Sequence, residues 1–394
     1  MGLSMAAYRK TKSLMKADVA VLGGGLAGLS AAIILQRYGF QTILIEKKKY
    51  PFHKVCGEYL SLESGMLLSW LGISHENPDL PLLDRIKITE PRGAFFEGSL
   101  PLGGIGISRY FLDLELKKIL EKEGGIVWEG TTATGITKTA EGFEIHTSQP
   151  LHPFAEVRLA FGAFGRNKPR FLHQEERKGK GFIGVKRHVR ADIPDNRIEL
   201  HHFPGGYCGI SAVENGAYCL CYLLQEAIAA KHKGNLEEVE RQYLFQNPFL
   251  ARYFSEFETL TPRFSTSGVM FRDRPLSREG LLFLGDSAGM IPPLAGNGMS
   301  MALHAAVLAA MHAMPFLRGR TGAEQMLKDY EKSWKTNFSL RLKVAKGLQR
   351  IMENPRFTRL TLQSFRQFPG LFSASARLTH GRMIPLPGIP EGEF

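Results

Sequence analysis

Three glycines near the N-terminus, Gly23, Gly25 and Gly28, have the spacing of a turn that binds a diphosphate. They follow an apolar run that predicts a short β-strand, and they precede a segment of helical composition. Gly23 permits the turn, Gly25 lets backbone N–H groups approach a diphosphate, and Gly28 lets the helix pack on the strand. Glu46 ends the next predicted strand, where a carboxylate can accept both hydroxyls of a ribose. This end of the chain therefore predicts a dinucleotide site.

A second candidate site lies far along the chain, in a segment that reads as strand, loop and helix between residues 281 and 314. An apolar strand ends at a Gly-Asp pair, two prolines stiffen the loop, and a Gly-Asn-Gly stretch opens the helix. Two phosphate or polyol sites on one chain indicate one long cofactor. The candidate residues of this second segment are Gly285, Asp286, Pro293, Gly296, Asn297, Gly298 and Met299.

The second segment resembles the second FAD signature of the superfamily that contains p-hydroxybenzoate hydroxylase and the geranylgeranyl reductases. The resemblance implies that FAD is the cofactor, that Asp286 holds its ribityl chain, and that the helix after Gly298 points its N-terminus at the flavin. A helix N-terminus stabilises the negative charge of a reduced flavin. The resemblance also implies that Arg109, which begins an amphipathic helix, reaches the FAD phosphates. The remaining implied FAD contacts are Leu26, Ala27, Lys47, Cys56 and Gly57.

The stretch HKVCGEYLS follows the second predicted strand of the dinucleotide fold. Its Cys56-Gly57-Glu58 resembles a segment of the geranylgeranyl reductase branch that lies against the flavin. The resemblance implies that Gly57 lets the backbone approach the ring and that Cys56 is a candidate catalytic residue. A reactive thiolate needs a lowered pKa, for which Lys54 and His53 are the neighbouring sources of positive charge. The alternative is that Cys56 is a small packing residue.

The pattern changes in the middle of the chain to four antiparallel strands, which proline, glycine and asparagine turns separate. By resemblance, this sheet covers the flavin and lines the substrate pocket. Tyr207 is the candidate catalytic residue there, and Gly209 and Ser211 stand where the reductases carry larger aromatic residues. His201 and His202 point to opposite faces of one strand, so at most one of them faces the pocket.

The predicted fold class is α/β, or α+β overall, with a Rossmann-type FAD-binding domain, an antiparallel-sheet substrate domain and a helical C-terminal region. The predicted boundaries assign 17–180 and 265–315 to the FAD-binding domain, 181–264 to the substrate domain and 316–394 to the helical region. The first sixteen residues predict a loose basic leader, because they lack the apolar core of a signal peptide.

One motif departs from the hydroxylase pattern. Where that family reads GADGxxS, this chain has GAFGRNK from Gly162 to Lys168, so Phe164 replaces an aspartate. In hydroxylases this motif contributes to flavin and NADPH contacts. The replacement therefore argues against transient docking of NADPH, and the sequence contains no second complete dinucleotide fold.

Composition and charge restrict the compartment and the partners. The chain has 394 residues, and its net charge of +12 indicates an anionic partner such as a membrane surface or a phosphorylated substrate. Its four cysteines show no zinc spacing and no disulfide framework, which predicts no metal site and a reducing, cytoplasmic compartment. After residue 315 the chain is helical and basic. This region is either a peripheral contact with the inner membrane face or a capping helix with a solvated face. No nucleic-acid partner is predicted.

The sequence predicts an FAD-dependent oxidoreductase that reduces a carbon–carbon double bond of an apolar small molecule, polyprenyl- or polyketide-like, by hydride transfer. The external electron donor would be NAD(P)H or an electron-transfer protein. The alternatives are a flavin-hydroperoxide monooxygenase (hydroxylase) and, from a different class, a non-catalytic flavin-binding carrier. A halogenase is disfavoured, because the three tryptophans are isolated and cannot form the WxWxIP signature of that family.

Overall fold

The computed structural model has two β-sheets and ten α-helices within the residues that it describes, which are 15–150, 153–167, 169–172, 181–272 and 274–387. This mixed architecture confirms the predicted α/β fold class. The strands are β1 (Met15–Leu22), β2 (Thr42–Glu46), β3 (Tyr59–Ser61), β4 (Leu82–Thr89), β5 (Phe95–Gly106), β6 (Ile126–Glu129), β7 (Ala133–Lys138), β8 (Phe143–Thr147), β9 (Phe154–Gly162), β10 (Phe182–Arg190), β11 (Arg197–Phe203), β12 (Gly206–Ala212), β13 (Tyr218–Gln225), β14 (Glu258–Thr259), β15 (Phe264–Val269), β16 (Ser277–Arg278) and β17 (Leu281–Phe283). The helices are α1 (Leu26–Arg37), α2 (Gly65–Leu71), α3 (Arg109–Lys122), α4 (Glu226–Lys231), α5 (Leu236–Gln242), α6 (Pro248–Glu256), α7 (Gly298–Leu317), α8 (Ala323–Met352), α9 (Pro355–Gln367) and α10 (Pro369–Thr379).

The first sheet has eight strands around a parallel core. Its order is β16, β17, β9, β1, β2 and β6, and β7 and β8 extend it from β9 in antiparallel fashion. β1 pairs in parallel with both β2 and β9, so that Val19 lies opposite Thr42 and Ala17 opposite Val157. Strands that are covered on both faces read as continuous apolar runs, as β2 does. The carboxyl ends of β1 and β2 therefore bring the glycine turn and Glu46 to the same edge of the sheet.

The second sheet has nine strands in the order β14, β10, β13, β12, β11, β4, β5 and β3, with β15 also on β10. β10 to β13 are the antiparallel strands that the sequence predicts for the substrate domain. β3, β4 and β5 join the same sheet, and β4 pairs in parallel with β11, Arg85 opposite Arg197. The predicted division between 17–180 and 181–264 therefore differs from the sheet membership. Pairing between strands so far apart in the chain leaves no local pattern in the sequence.

The two faces of the second sheet pack on different partners. On β12, Cys208 and Ile210 point into a core that includes α6, because successive side chains of a strand alternate between faces. Tyr207 points to the other face, into an apolar cluster with Met290 of the loop before α7 and Phe365 of α9. This second face is therefore turned toward the second candidate segment and the C-terminal helices.

The two longest helices, α7 and α8, pack against each other. α7 is long and apolar enough to cross a membrane, but 72% of its apolar window is buried inside the protein, as in the core helix of a globular fold. The α8 residues Tyr330, Trp334 and Phe338 recur at every fourth position and are buried. The Phe338 ring lies 5.1 Å from the ring of His304 on α7. The apolar stripe of α8 is therefore used for packing, as in the capping alternative.

The predicted leader of sixteen residues overlaps β1 at its last two positions. Met15 and Lys16 belong to β1, where they pair with Ala155 and Glu156 of β9. The strand extends because β9 offers backbone partners at these positions. The rest of the predicted leader, 1–14, and Lys168 of the GAFGRNK motif lie outside the described residues.

Candidate active site

The glycine turn between β1 and α1 has no room for side chains at two of its three predicted positions. Gly23 has a φ of 116°, and a Cβ there would lie 2.3 Å from the Ala163 carbonyl oxygen. A Cβ on Gly28 would lie 2.1 Å from the Gly23 carbonyl oxygen. Gly25 is the N-cap of α1, and no side chain caps this helix. The first N–H groups of α1 are therefore available to a phosphate.

Glu46 lies beside this turn at the end of β2. Its Oε2 accepts the N–H of Gly24 at 2.8 Å, and its Oε1 accepts the N–H of Lys48 at 3.0 Å. Each carboxylate oxygen can accept a further hydrogen bond, so Glu46 can still bind the two hydroxyls of a ribose. Lys47, another predicted contact, is exposed.

Two cations, Lys54 and Arg109, face the glycine turn. A Cβ built on Gly25 would lie 3.5 Å from Nζ of Lys54 and 3.8 Å from a guanidinium nitrogen of Arg109. Both cations pair with the buried carboxylate of Asp113, each at 2.9 Å. Burial lowers the pKa of Lys54, although the negative charge of Asp113 opposes this change. At Arg109 the charge of Asp113 has a larger effect than burial, so the pKa of Arg109 is raised. Arg109 therefore stays charged beside the turn, as a diphosphate requires.

The second segment packs directly on the first helix. Gly285 has a φ of 55°, and a Cβ there would lie 3.1 Å from the Cβ of Ala27. Burial raises the pKa of Asp286, and Arg109 is the cation that opposes this rise most strongly. Leu26 and Ala27 are both buried in the first turn of α1. The structure therefore brings together the two motifs that the sequence separates by more than two hundred residues.

The N-terminus of α7 contains buried polar atoms without protein partners. No side chain caps this helix. Within the described part of the chain, Asn297 Oδ1 and Ser300 Oγ are buried and form no hydrogen bond. Leaving such an atom unsatisfied costs about 1–3 kcal/mol, so this helix end suits a ligand with a polar edge. The other predicted residues of the segment surround the same helix end: Pro293, Gly296, Gly298 and Met299.

The loop that contains Cys56 and Gly57 runs along the second sheet. The Cys219 thiol donates to the Cys56 carbonyl oxygen at 3.3 Å, and the Ser211 hydroxyl donates to the Gly57 carbonyl oxygen at 3.4 Å. No heavy atom of the described residues lies within 4 Å of a Cβ built on Gly57. The loop therefore borders open space at Gly57, where a planar ring can approach the backbone.

Cys56 is a neutral thiol. Burial raises its pKa, and the opposing charge of Arg109 does not reverse the rise. The two expected neighbours act elsewhere, because Lys54 pairs with Asp113 and burial lowers the pKa of His53 to about 4. His53 is therefore uncharged at neutral pH. Lys54 and His53 are therefore not the sources of positive charge that a thiolate at Cys56 would need.

Glu58, two residues after Cys56, is the centre of a buried cluster of charged side chains that the sequence analysis did not predict. It is fully buried and has a φ of 57°, which costs a residue with a side chain about 1–3 kcal/mol. Its carboxylate accepts a hydrogen bond from the backbone N–H of Arg109 at 2.7 Å and binds His188 Nε2 at 2.6 Å. It also forms an ion pair with Lys186. Burial alone would raise the pKa of Glu58, but His188 and Lys186 hold it below its usual value.

Glu58, His188 and Cys219 place three potential metal-ligand atoms within 4.8 Å of one another. The Lys186 ammonium group already neutralises the Glu58 carboxylate. Burial raises the pKa of the Cys219 thiol well above its usual value, so that it is a poor ligand. In this structure Glu58 and His188 bind each other, and the Cys219 thiol donates to the Cys56 carbonyl oxygen.

Tyr207 lies apart from Cys56. Tyr207 precedes Ser211 by four residues on the same face of β12. Because Ser211 is the residue that binds Gly57, Tyr207 lies about 13 Å along the strand from that contact. Its hydroxyl is buried without a partner in the described residues, and burial raises its pKa well above the usual value. The His202 ring lies 5.8 Å from the Tyr207 ring, whereas His201 stacks on the opposite face against α6. The predicted opposite orientation of the two histidines is confirmed.

Comparison with known proteins places this geometry in a family. Residues 16–82 match a family model described as an FAD binding domain. A digeranylgeranylglycerophospholipid reductase of Thermoplasma volcanium is 25% identical over 350 residues, 82% of this chain and 84% of the relative. A menaquinone reductase of Mycolicibacterium smegmatis is 23% identical over 384 residues, 88% of this chain and 87% of the relative. The solved structure of the flavin-dependent brominase Bmp2 has a TM-score of 0.75 at 17% identity, covering 95% of this chain and 96% of that one.

The chain is similar to FAD-dependent oxidoreductases over 82% of its length, and its residues 16–82 match the FAD binding domain. The expected relation to p-hydroxybenzoate hydroxylase and the geranylgeranyl reductases is confirmed, and so is FAD as the cofactor. The uncapped starts of α1 and α7 and the unpartnered Asn297 oxygen suit this flavoprotein's cofactor. In this fit, Glu46 would hold the ribose of the adenosine, Arg109 the diphosphate and Asp286 the ribityl chain.

Replacing Asp286 with alanine should remove most of the FAD, because the ribityl hydroxyls lose their buried acceptor. The purified wild-type protein should be yellow and should release FAD, not FMN, on denaturation. Flavin content per polypeptide, measured by absorbance after denaturation, checks this expectation. Asp329→Ala, which removes a carboxylate on α8 that binds Gln325, is the matched control and should keep full occupancy. Full occupancy in Asp286→Ala would show that Asp286 does not hold the cofactor.

Replacing Glu58 with glutamine should destabilise the protein by about 3–5 kcal/mol at neutral pH, because Lys186 stays buried without a counter-charge. The folded-state pKa of Glu58 lies below its usual 4.5, so its contribution is present above about pH 4.5 and is lost as the pH falls through the folded value. The difference in unfolding free energy between wild type and variant should therefore shrink in acid. Urea unfolding at several pH values measures it. Glu258→Gln, which breaks an exposed pair with Arg190, should cost under about 1 kcal/mol.

Proposed function

We propose that this flavoprotein reduces a carbon–carbon double bond of an apolar, polyprenyl- or polyketide-like molecule. The observation that carries the proposal is the position of the neutral Cys56 thiol. It lies beside the open space at Gly57 and over the face of the sheet whose other end carries an apolar cluster. A proton donor and an apolar wall on one sheet suit the addition of hydrogen to an alkene.

The apolar wall has a composition that suits a hydrocarbon ligand. It is a cluster of buried hydrophobic residues, and each Å² of apolar surface removed from water contributes about 25 cal/mol. Met290, from the loop between Asp286 and α7, belongs to this wall and links it to the predicted flavin position. The other members of the wall are Ile86, Ile88, Phe96, Phe182, Leu200, Tyr207, Leu223, Val269, Met352, Leu362, Phe365, Phe372 and Ala376.

Bound FAD in its reduced form supplies two electrons and one hydrogen as hydride to one alkene carbon. The protein supplies the proton for the other carbon: the S–H bond of Cys56 breaks as the new C–H bond forms. The thiolate that remains lies near the positive charges of Arg109 and Lys186, which partly offset the rise that burial gives the pKa of Cys56, and it regains a proton from solvent. NAD(P)H or an electron-transfer protein then restores the reduced cofactor.

Tyr207 serves the other end of the substrate in this proposal. Its separation from the Gly57 contact places it away from the reacting carbons, and its unpartnered hydroxyl can bind a polar group of the substrate. His202, whose pKa burial lowers to about 3, stays neutral beside it. We therefore assign Tyr207 to binding and Cys56 to proton transfer.

Two relatives support a reductase on a lipid-like substrate, since their names give a digeranylgeranyl phospholipid and menaquinone. The replacement of the motif aspartate by Phe164, whose ring lies 5.5 Å from Phe283, supports the same choice over an NADPH-dependent hydroxylase. The likeness to a brominase concerns the fold, so the rival to be tested is a reaction that consumes oxygen.

Oxygen dependence should distinguish the reductase from the monooxygenase. FAD-loaded protein, chemically reduced and mixed with polyprenyl and polyene candidates without air, should regain oxidised-flavin absorbance at a rate that depends on substrate. The product should gain two hydrogens by mass spectrometry. A product that forms only in air and gains oxygen or a halogen would replace the reductase with a monooxygenase or halogenase. No product from any candidate, with or without air, would favour the carrier.

Replacing Cys56 with alanine should slow substrate reduction by roughly 100-fold while FAD content stays the same, because only the proton donor is lost. Stopped-flow reoxidation of the reduced flavin by substrate measures the rate. Cys208→Ala is the matched control, since the Cys208 thiol is buried on the face of β12 that points away from the loop containing Cys56. An unchanged rate in Cys56→Ala would leave the packing interpretation of Cys56.

A further inference from the structure

The last two helices, α9 and α10, expose large apolar side chains that the fold does not cover. Phe357, Leu360, Phe368, Leu371 and Leu378 are each between 49% and 57% exposed. Isolated exposed apolar residues are normal on a protein surface, but five within 22 consecutive residues form a concentration that calls for a partner.

Helical spacing separates these side chains from the buried faces of the same helices. On α9, Phe357 and Leu360 are three residues apart and share one side, while Phe365 is buried against Phe96 of β5. On α10, Leu371 and Leu378 are seven residues apart and also share one side. Each helix therefore has one apolar stripe for the core and a second that faces solvent.

The charge of this region is of one sign. Residues 354–384 contain no aspartate or glutamate. Arg366 lies over the ring of Phe95, with the guanidinium carbon 5.4 Å from the ring centre. The region has five arginines, none of which forms an ion pair with a described residue: Arg356, Arg359, Arg366, Arg377 and Arg382.

We propose that α9 and α10 form a docking surface for a lipid bilayer with anionic headgroups. The exposed apolar stripes would enter the boundary between headgroups and acyl chains, and the arginines would bind the headgroups. A second copy of this chain fits the surface less well, because a two-fold contact would bring five arginines against five arginines. An acidic partner protein would match the charge but not the solvent-facing apolar stripes.

A cleft lies at the same end of the protein, beside α10. It has a volume of about 200 Å³ and lies between β5 and α10, lined by residues that include Leu102, Arg377 and His380. The carbonyl oxygen of Thr379, next to His380, accepts a hydrogen bond from Asn297 at the start of α7. A bilayer at α10 would therefore lie close to the start of α7. The docking itself does not depend on the proposed reaction.

Vesicle binding tests the docking surface without substrate or reductant. FAD-loaded full-length protein is sedimented with vesicles of phosphatidylcholine alone, or of phosphatidylcholine and phosphatidylglycerol in equal parts. Wild type should bind the anionic vesicles more tightly. The triple variant Leu360→Ser, Phe368→Ser, Leu371→Ser should lose about 100-fold in affinity for them, since each side chain loses part of its burial in lipid.

A matched control carries three exposed apolar substitutions elsewhere: Leu82→Ser, Leu260→Ser and Met311→Ser. It should bind as wild type does, and FAD content and thermal unfolding should be unchanged in both triple variants. The single variant Leu378→Ser, which should lose about fivefold, replaces the triple variant if the latter fails to fold.

The arginines are tested separately with Arg356→Gln and Arg359→Gln, each of which should weaken binding to anionic vesicles about fivefold and leave phosphatidylcholine binding unchanged. Equal vesicle binding by wild type and the α9–α10 variants would overturn the proposal. Concentration-dependent dimerisation that the triple serine variant abolishes, without vesicle binding by wild type, would assign the surface to a second copy. Loss of vesicle binding with intact substrate reduction in detergent would support docking independently of the reaction.

Discussion

The fully buried carboxylate of Glu58 connects three parts of this flavoprotein. It binds α3 through the Arg109 N–H and β10 through Lys186 and His188. Two buried charges cost several kcal/mol each to remove from water, so the cluster is stable only when all its partners are in place. The side chain of Arg109 faces the glycine turn, and the backbone next to Glu58 leads to Cys56. The Glu58 cluster therefore sets the position of Arg109 and the glycine turn relative to the loop that contains Cys56 and Gly57.

The candidate cofactor site contains two helix ends without side-chain caps. These are the starts of α1 and α7, and a Cβ built on Gly285 would lie 3.1 Å from the Cβ of Ala27 on α1 and 3.8 Å from that of Ala302 on α7. Unpaired N–H groups and a helix dipole at both ends of one elongated site suit an anionic dinucleotide, and binding it stabilises the folded state by mass action.

Charged side chains lie at one end of the second sheet and apolar side chains at the other. One end carries the buried charge cluster of Glu58, Lys186 and His188 and the loop at Cys56. At the other end, the same face continues into an apolar wall that includes Met290 of the second segment and that α9 and α10 cover.

The sequence by itself determined the elements, because these depend on local spacing, and its resemblance to a known FAD signature indicated the cofactor. The glycine turn, the strand ending at Glu46, the four central strands and the helix from Ala323 to Met352 all follow from periodicity and turn residues. Only the tertiary structure decided the protonation of Cys56, the partners of Glu58 and the distance of Tyr207 from the loop. It also decided that β3 to β5 join the second sheet. These features depend on burial and on pairing between segments about one hundred residues apart, for which a sequence carries no local pattern.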